Sequence, residues 1–372
     1  MAVTVEHRPS RMRPALAALV TVLLLVPSGY LFQRVWQADR DARDRTAQER
    51  RGIEYLGYLS PLVGALTEAE TSALAGVKGV PSSLTTAVAG VADADQRLGG
   101  ALQTHARWAG LREKIDRLST ITGDPQVVYQ AHVETTDLTL ALYDEVRINS
   151  ALVRDPDNDV SNLQQAVGAD LPDTVVQVNR MGDLAVLLAG VPGGDPDQAR
   201  RQAAIGPMFG AAVQAVRGAV GGLTDRLQAA VDDTSSPTLS GNLVTSLDAF
   251  RRGVESLTQG ANPGGTPVAA TLKNAQSQLQ TALSMLSGVT LREMSGLLDR
   301  RLDTLDRQRL MAYVAAGTAV VLVLLVLVLL PRARRRPADG PPTGATPSGY
   351  GGPAPPFGTA DTSRRERAGV VR

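Results

Sequence analysis

The chain has 372 residues, 38 Lys+Arg against 37 Asp+Glu, no Cys, three His and 3% aromatic residues. Without Cys it has no disulfide, thiolate nucleophile, iron–sulfur cluster or Cys-based zinc site, and His7, His105 and His132 are too few for an imidazole metal cage. The near-neutral formal charge of +1 hides an uneven distribution: residues 1–13 and 332–372 are net basic, and the stretch between them is net acidic.

In chain order, a basic segment, residues 1–13 with Arg8, Arg11 and Arg13, precedes an apolar run from Pro14 to Phe32. That run reads as an uncleaved transmembrane helix over 14–33, with a signal peptide cut near Val26 to Ser28 as the alternative. A second apolar stretch, 310–330, is free of charge and at ~1.5 Å per residue just crosses a ~30 Å hydrocarbon core. Tyr313 lies near one of its ends, and Arg332, Arg334, Arg335 and Arg336 follow the other, where they would anchor the span at anionic headgroups. By the positive-inside rule both termini are cytoplasmic, which predicts a two-pass plasma-membrane protein with residues 34–309 extracytoplasmic. Residues 331–372 form a basic tail rich in Pro and Gly that cannot bury a core and is expected to be disordered.

Between the spans apolar residues recur three and four apart, as in Leu56, Leu59, Val63 and Leu66, or Leu279, Leu283 and Leu286. The stripe is narrow and aliphatic, which predicts an all-α, membrane-anchored bundle of long helices, either one tall four-helix bundle or two stacked ones. Helix starts are marked by a capping side chain followed by Pro, at Asp124-Pro125, Asp155-Pro156, Asp195-Pro196, Ser236-Pro237 and Thr266-Pro267. The expected helices are 35–78, 83–122, 125–153, 156–190, 196–234, 237–260 and 267–330. A chain that leaves and re-enters one membrane face needs an even number of passes, and these are seven, so one junction must bend without reversing. Asp155-Pro156, with no preceding Gly, is the expected bend.

The stretch from Asn149 to Arg180 carries Ser150, Leu152, Asp155, Pro156, Asp157, Asp159, Leu163, Leu171, Pro172 and Arg180. In that pattern it resembles the extracytoplasmic sensor region of bacterial methyl-accepting chemotaxis receptors and related sensor histidine kinases. The likeness extends to Arg51 through Tyr55, to Asp95, Arg97, Leu98, Gly99, Arg107 and Trp108, and to Leu297 through Leu302. It departs at Ser161 and Asn162, where such receptors tend to have aromatic residues, and at Glu70-Thr71, where an Arg-Gly pair is common. It departs most on the cytoplasmic side, where no receptor hairpin or kinase follows the second span. The resemblance implies a homodimer that binds a small solute or a protein and signals to a cytoplasmic partner in trans. The alternative is a structural or scaffold protein descended from such a receptor, with packing retained and no small ligand.

The candidate ligand-binding residues are Arg107, Trp108, Arg112, Arg147 and Arg180, because guanidinium groups fork onto carboxylates. The plainer reading of those arginines is ion-paired or solvated helix surface. Asp155, Asp157 and Asp159 have the spacing of hard-cation ligands, but an EF-hand needs Gly and Glu where Val160 and Ala166 stand, so helix capping explains them more simply. His105 and His132 read as surface or boundary residues rather than catalytic bases. With no phosphate loop, serine elbow or zinc signature, the sequence argues against an enzyme, and no cofactor, metal or nucleic acid is expected. The lipid bilayer is the one partner the sequence itself implies.

Overall fold

The computed structural model describes residues 12–153, 155–189, 198–234, 236, 238–260 and 269–332. Among them every regular element is helical and no strand occurs. The elements are α1 (Met12–Leu74), α2 (Ser82–Leu102), α3 (His105–Leu118), α4 (Pro125–Asn149), α5 (Asn158–Gln165), a π-helical turn (Ala166–Asp170), α6 (Leu171–Ala189), α7 (Gln198–Asp233), α8 (Leu239–Gly260) and α9 (Ala269–Arg332). Asp195-Pro196, Pro237, Thr266-Pro267 and Arg334 to Arg336 lie outside the described residues, and of Arg332 only the helical backbone is described.

Two compact units divide the chain, Met1–Tyr313 and Val314–Arg372. The described part of the second is the last stretch of α9, which presents Val314, Val320, Val321, Leu322 and Leu324 outward. In the first, pairs of contacting residues set the direction of each helix. Arg43 meets Asp306, Arg50 meets Asp299, and Ser60 meets Ser287, so α1 and α9 run antiparallel in constant register. By the same reasoning α2 descends along α1 (Ser83 on Glu68, Asp95 on Tyr55). Helix α3 rises and α4 descends, paired by Lys114 with Glu134 and Arg107 with Glu145. The rod formed by α5, the π turn and α6 rises, α7 descends (Arg226 on Asp170), α8 rises and α9 descends (Asn242 on Glu293, Gly253 on Leu279).

Among the described residues that makes eight passes. Parity is satisfied, but not by the expected bend at Asp155-Pro156, where the chain reverses fully between α4 and α5. The additional reversal splits the expected 83–122 helix at Gln103-Thr104. No Gly or Pro marks that break; Gln103 itself adopts a left-handed φ of 55°, a conformation with a steric cost for a side chain with a Cβ. Asp95 holds the turn closed by accepting hydrogen bonds from Tyr55 Oη at 2.9 Å, Thr104 Oγ1 at 2.6 Å and the ring of His105 at 2.7 Å. Gly99 makes room for it, since a Cβ there would fall 2.5 Å from the Asp95 carboxylate.

The rods form two four-helix groups, α1 to α4 and α5/α6 to α9, which lie side by side rather than stacked end to end. They share a seam of α1, α4, α6 and α9, where close approach is again set by glycine. Gly52 lets α1 meet Ser150, and Gly182 admits Gln276. A continuous apolar core runs through both groups, with Tyr55, Leu56, Leu59, Leu62, Leu163 and Phe250 fully enclosed. Replacing Asp95 with Ala strands the Tyr55 and Thr104 hydroxyls in that core, and the expected cost is about 2–4 kcal/mol by chemical denaturation. A chain with an unbroken 83–122 helix would be nearly indifferent to the change.

Candidate functional site

Three features concentrate polar chemistry or open space in the first unit. The first is a cleft of about 550 Å³ at the end of the α1–α4 group where α1 ends and α4 begins. It opens where four helix ends diverge. The end of α1 is closed by N–H groups of Ala75, Gly76 and Val77 returning to Thr71, Ala73 and Ser72, and Gly76 and Gly79 take positive φ of 74° and 107° to carry the chain round. Gly123, at φ 113°, shapes the opposite rim before Asp124 caps α4 through Gln126 N at 2.9 Å. Leu74, Leu84, Ile115, Leu118 and Val128 wall the cleft, and His132 lies against it. Contrary to the surface position expected from sequence, His132 is only 4% exposed; its Nδ1 has no hydrogen-bond partner, and burial lowers its pKa to about 4.

The second feature is a polar knot inside the seam. Asn179 on α6 donates to Glu70 of α1 at 2.9 Å and to Asp183 at 2.7 Å, while its own oxygen accepts from Gln276 and Gln280 of α9 at 3.0 and 3.2 Å. Thr71 donates to Asp183 at 3.2 Å. Glu70 Oε1 is buried without a partner. Burial, reinforced for Glu70 by the neighbouring Asp183, pushes Glu70 well above the usual carboxylate range, and burial alone lifts Asp183 to about 7. Glu70-Thr71 is the departure from the receptor-like pattern, and it supplies two members of the knot.

The third feature is a clamp at the opposite end of the bundle. Arg301 of α9 forks onto Asp155 at 2.6 and 2.7 Å, reaches Asp157 at 2.5 Å and approaches Glu49 of α1 at 3.5 Å. One guanidinium thus faces three carboxylates. Glu49, fully enclosed and with neither oxygen hydrogen-bonded, is the hardest of them to ionise: burial first, then the Asp155 charge, raises it to about 7. Capping is a minor part of this cluster. Asp155 accepts from Asp157 N at 2.9 Å, but Asp157 makes no side-chain cap at the start of α5. Among the described residues no group of three or more His, Cys, Asp or Glu is placed to hold a metal.

The five residues expected to bind an anion do not converge. Arg107 pairs with Glu145, Arg147 with Asp144 and Gln165, and Arg180 with Asp137 and Thr136. Trp108 is core, at 5% exposure, and Arg112 faces solvent. None of the five lines the distal cleft. Arg180 ties α6 to α4 through Asp137, and Arg147 pairs with Asp144 on its own helix while reaching Gln165 of α5, which is the ion-paired reading of helix arginines. Sequence reasoning missed Arg301, Glu49 and Asp183, since a charged residue spaced along a helix gives no sign of which carboxylate it will face after folding. No protein-family model, curated protein or solved structure matches the chain.

Two measurements follow. Arg301→Leu leaves Asp155 and Glu49 without their cation, and denaturation should show a loss of about 3–5 kcal/mol, of which Arg301→Lys recovers only part because ammonium cannot fork. Glu49, Glu70 and Asp183 all have folded pKa values above their unfolded ones. Their contribution is therefore complete at pH below about 4 and is lost as pH rises through about 7 for Glu49 and Asp183, and through the raised pKa of Glu70 for that residue. His132 works the opposite way, but only between about 4 and 6.5. Stability should fall from about pH 5 to 7.5, three carboxylates outweighing the one imidazole, and Asp183→Asn should flatten that slope by up to about 1.4 kcal/mol per pH unit.

Proposed function

We propose that the chain is a membrane-anchored, extracytoplasmic sensor-type module that binds a small solute or a protein partner and passes a shift of its long helices to a cytoplasmic signalling protein. The observation that carries this reading is the continuity of two rods. Helix α1 runs unbroken from Met12 to Leu74 and α9 from Ala269 to Arg332, so each joins an apolar end to the bundle. They stay paired down to Trp36 and Tyr313, whose rings meet edge to face at 5.0 Å, with Arg309 and Arg40 over the Trp36 ring at 4.7 and 5.0 Å. Aromatic rings with arginines are the usual side chains of a membrane–water interface.

Membrane placement itself rests on composition. Two helical stretches are long and apolar enough to cross a bilayer, Ala270–Leu325 of α9 and Gln202–Asp233 of α7. Leu223, Leu227 and Ala230 of α7 are buried in the core, which suits that helix to the bundle and leaves α9 as the span; 310–330 is the segment concerned. The described part of 14–33 is helical and exposes Val26, Tyr30 and Leu31. The receptor-like pattern around Asp155-Pro156-Asp157 supports the sensor reading further, because those residues hold α9 through Arg301 shortly before its apolar end. A homodimer in the plasma membrane with both termini cytoplasmic completes the proposal.

The scaffold alternative differs in having nothing to bind. With no Cys in the chain, spin labels placed at Arg50→Cys and Asp299→Cys report the α1–α9 distance in the full chain in lipid nanodiscs. A solute library of organic acids, amines, nucleobases and neutral aromatics should yield at least one compound that raises the melting temperature and changes that distance. Silence across the library, with no copurifying protein, would favour the scaffold. Labelling of a single Cys at Asp93 on intact cells by an impermeant maleimide would support the extracytoplasmic placement, and protection would reverse it.

A further inference from the structure

Where α1 and α9 approach their apolar ends, the partners of their arginines change. Farther from those ends Arg50 meets Asp299 and Arg43 meets Asp306. Nearer to them Arg40 of α1 and Arg309 of α9 both stand over the ring of Trp36, at 5.0 and 4.7 Å. Among the described residues neither pairs with a carboxylate, although Asp39, Asp41 and Asp44 neighbour Arg40 in sequence. A guanidinium carries five N–H donors. Arg309 directs Nε and Nη2 to the hydroxyl of Tyr313 at 3.3 and 3.2 Å, and Arg34 directs Nε to that of Tyr30 at 3.1 Å. Arg40 makes no hydrogen bond to a described residue. An aromatic face holds a guanidinium in place without neutralising it, so two like charges gather at one indole with most of their donors open. Beside them Leu31, Val35, Leu310 and Met311 are exposed. Uncompensated positive charge and uncovered apolar surface therefore adjoin.

We propose that Arg40 and Arg309, held at Trp36, bind the headgroup phosphate of an anionic phospholipid whose acyl chains lie along Leu31, Val35 and Leu310. Guanidinium groups take phosphate oxygens through paired N–H donors, and here the donors are already positioned by the indole and by Tyr313. A soluble phosphate would satisfy the charge and leave the neighbouring apolar side chains uncovered, whereas a lipid satisfies both. A headgroup with its own ammonium would bring that cation among Arg34, Arg40 and Arg309, so a net negative headgroup is favoured. The ring and its two arginines belong one to α1 and one to α9, with Trp36 and Tyr313 meeting edge to face. Lipid bound there joins the two rods at the level where they leave the bundle. The inference rests on the membrane placement of 14–33 and 310–330, and goes beyond it in naming a site and a headgroup class.

The test uses the full chain in phosphatidylcholine nanodiscs that contain a small fraction of lipid with brominated acyl chains, either phosphatidylglycerol or phosphatidylcholine. Bromine quenches indole fluorescence only at short range, so Trp36 reports lipid at this site, while Trp108 is buried in the bundle and contributes a constant background. Brominated phosphatidylglycerol should quench with an apparent affinity about tenfold higher than brominated phosphatidylcholine. Arg40→Gln combined with Arg309→Gln should remove that preference and leave quenching by brominated phosphatidylcholine as it was, which shows that Trp36 keeps its place. Arg307→Gln removes an equal charge from an exposed position on α9 and should change nothing. Arg309→Lys should recover only part, because ammonium cannot fork. Equal quenching by the two lipids in the unaltered chain would overturn the site and keep the membrane placement. Absence of quenching in a fully brominated bilayer would overturn both. Loss of the preference on adding inorganic phosphate would assign the arginines to a soluble anion and overturn the lipid.

Discussion

Arg301 is the side chain on which the two halves of the bundle depend. It stands on α9 and faces Asp155 and Asp157 in the turn between α4 and α5, with Glu49 of α1 behind them. The first group of helices ends at that turn and the second begins there, so a single guanidinium joins both groups and the entering and leaving helices. A buried ion pair rarely contributes more than a well-packed apolar pair would, because both charges lose water. Its effect is on which arrangement is allowed: α9 cannot slide by one helical turn along α1 without leaving Asp155 and Glu49 unpaired. The knot around Asn179 acts the same way higher up, fixing the register of α1, α6 and α9 through hydrogen bonds that have one geometry.

These polar inserts divide an otherwise uniform aliphatic core. Leucine packing alone tolerates sliding and rotation, whereas each buried amide or carboxylate accepts a single set of neighbours. Two of the carboxylates, Glu70 and Asp183, sit beside one another with an amide between them, so adding charge to one raises the cost of charging the other. The interior is therefore most comfortable with a proton in the knot. Close helix approach at Gly52, Gly182 and Gly253 holds these groups within hydrogen-bond range.

The helical class and most helix limits were legible from apolar spacing and from caps such as Asp124-Pro125, because both are local properties of the chain. The parity argument was legible too, and the eight passes are even in number, yet the residue that adds the eighth was not. Gln103 reverses the chain with no residue that favours a left-handed backbone, and the stabilising contact comes from Asp95 two turns earlier together with Tyr55 on another helix. The arginines offered as an anion pocket do not converge, for a related reason. Arg107 and Arg180 each meet a carboxylate on another helix, whose proximity exists only after folding, whereas Arg147 pairs with Asp144 one turn away on α4. His132 was misjudged because a lone polar residue on an apolar helix face looks alike whether it ends in a core or on a rim.

Helix α7 adds a condition that concerns the making of the protein rather than its finished form. From Gln202 onward it meets the length and hydropathy of a membrane span while being placed, in the folded chain, against α6 with Leu223, Leu227 and Ala230 inward. On a two-pass topology this segment must travel fully through the secretion channel before α6 can cover it. Lateral escape into lipid at that moment would change the crossing number from two to three and strand α8 and the upper part of α9 on the wrong side. On that topology Arg217, Asp225 and Arg226, spaced along its second half, would raise the cost of that escape, and Arg226 then pairs with Asp170 in the folded bundle.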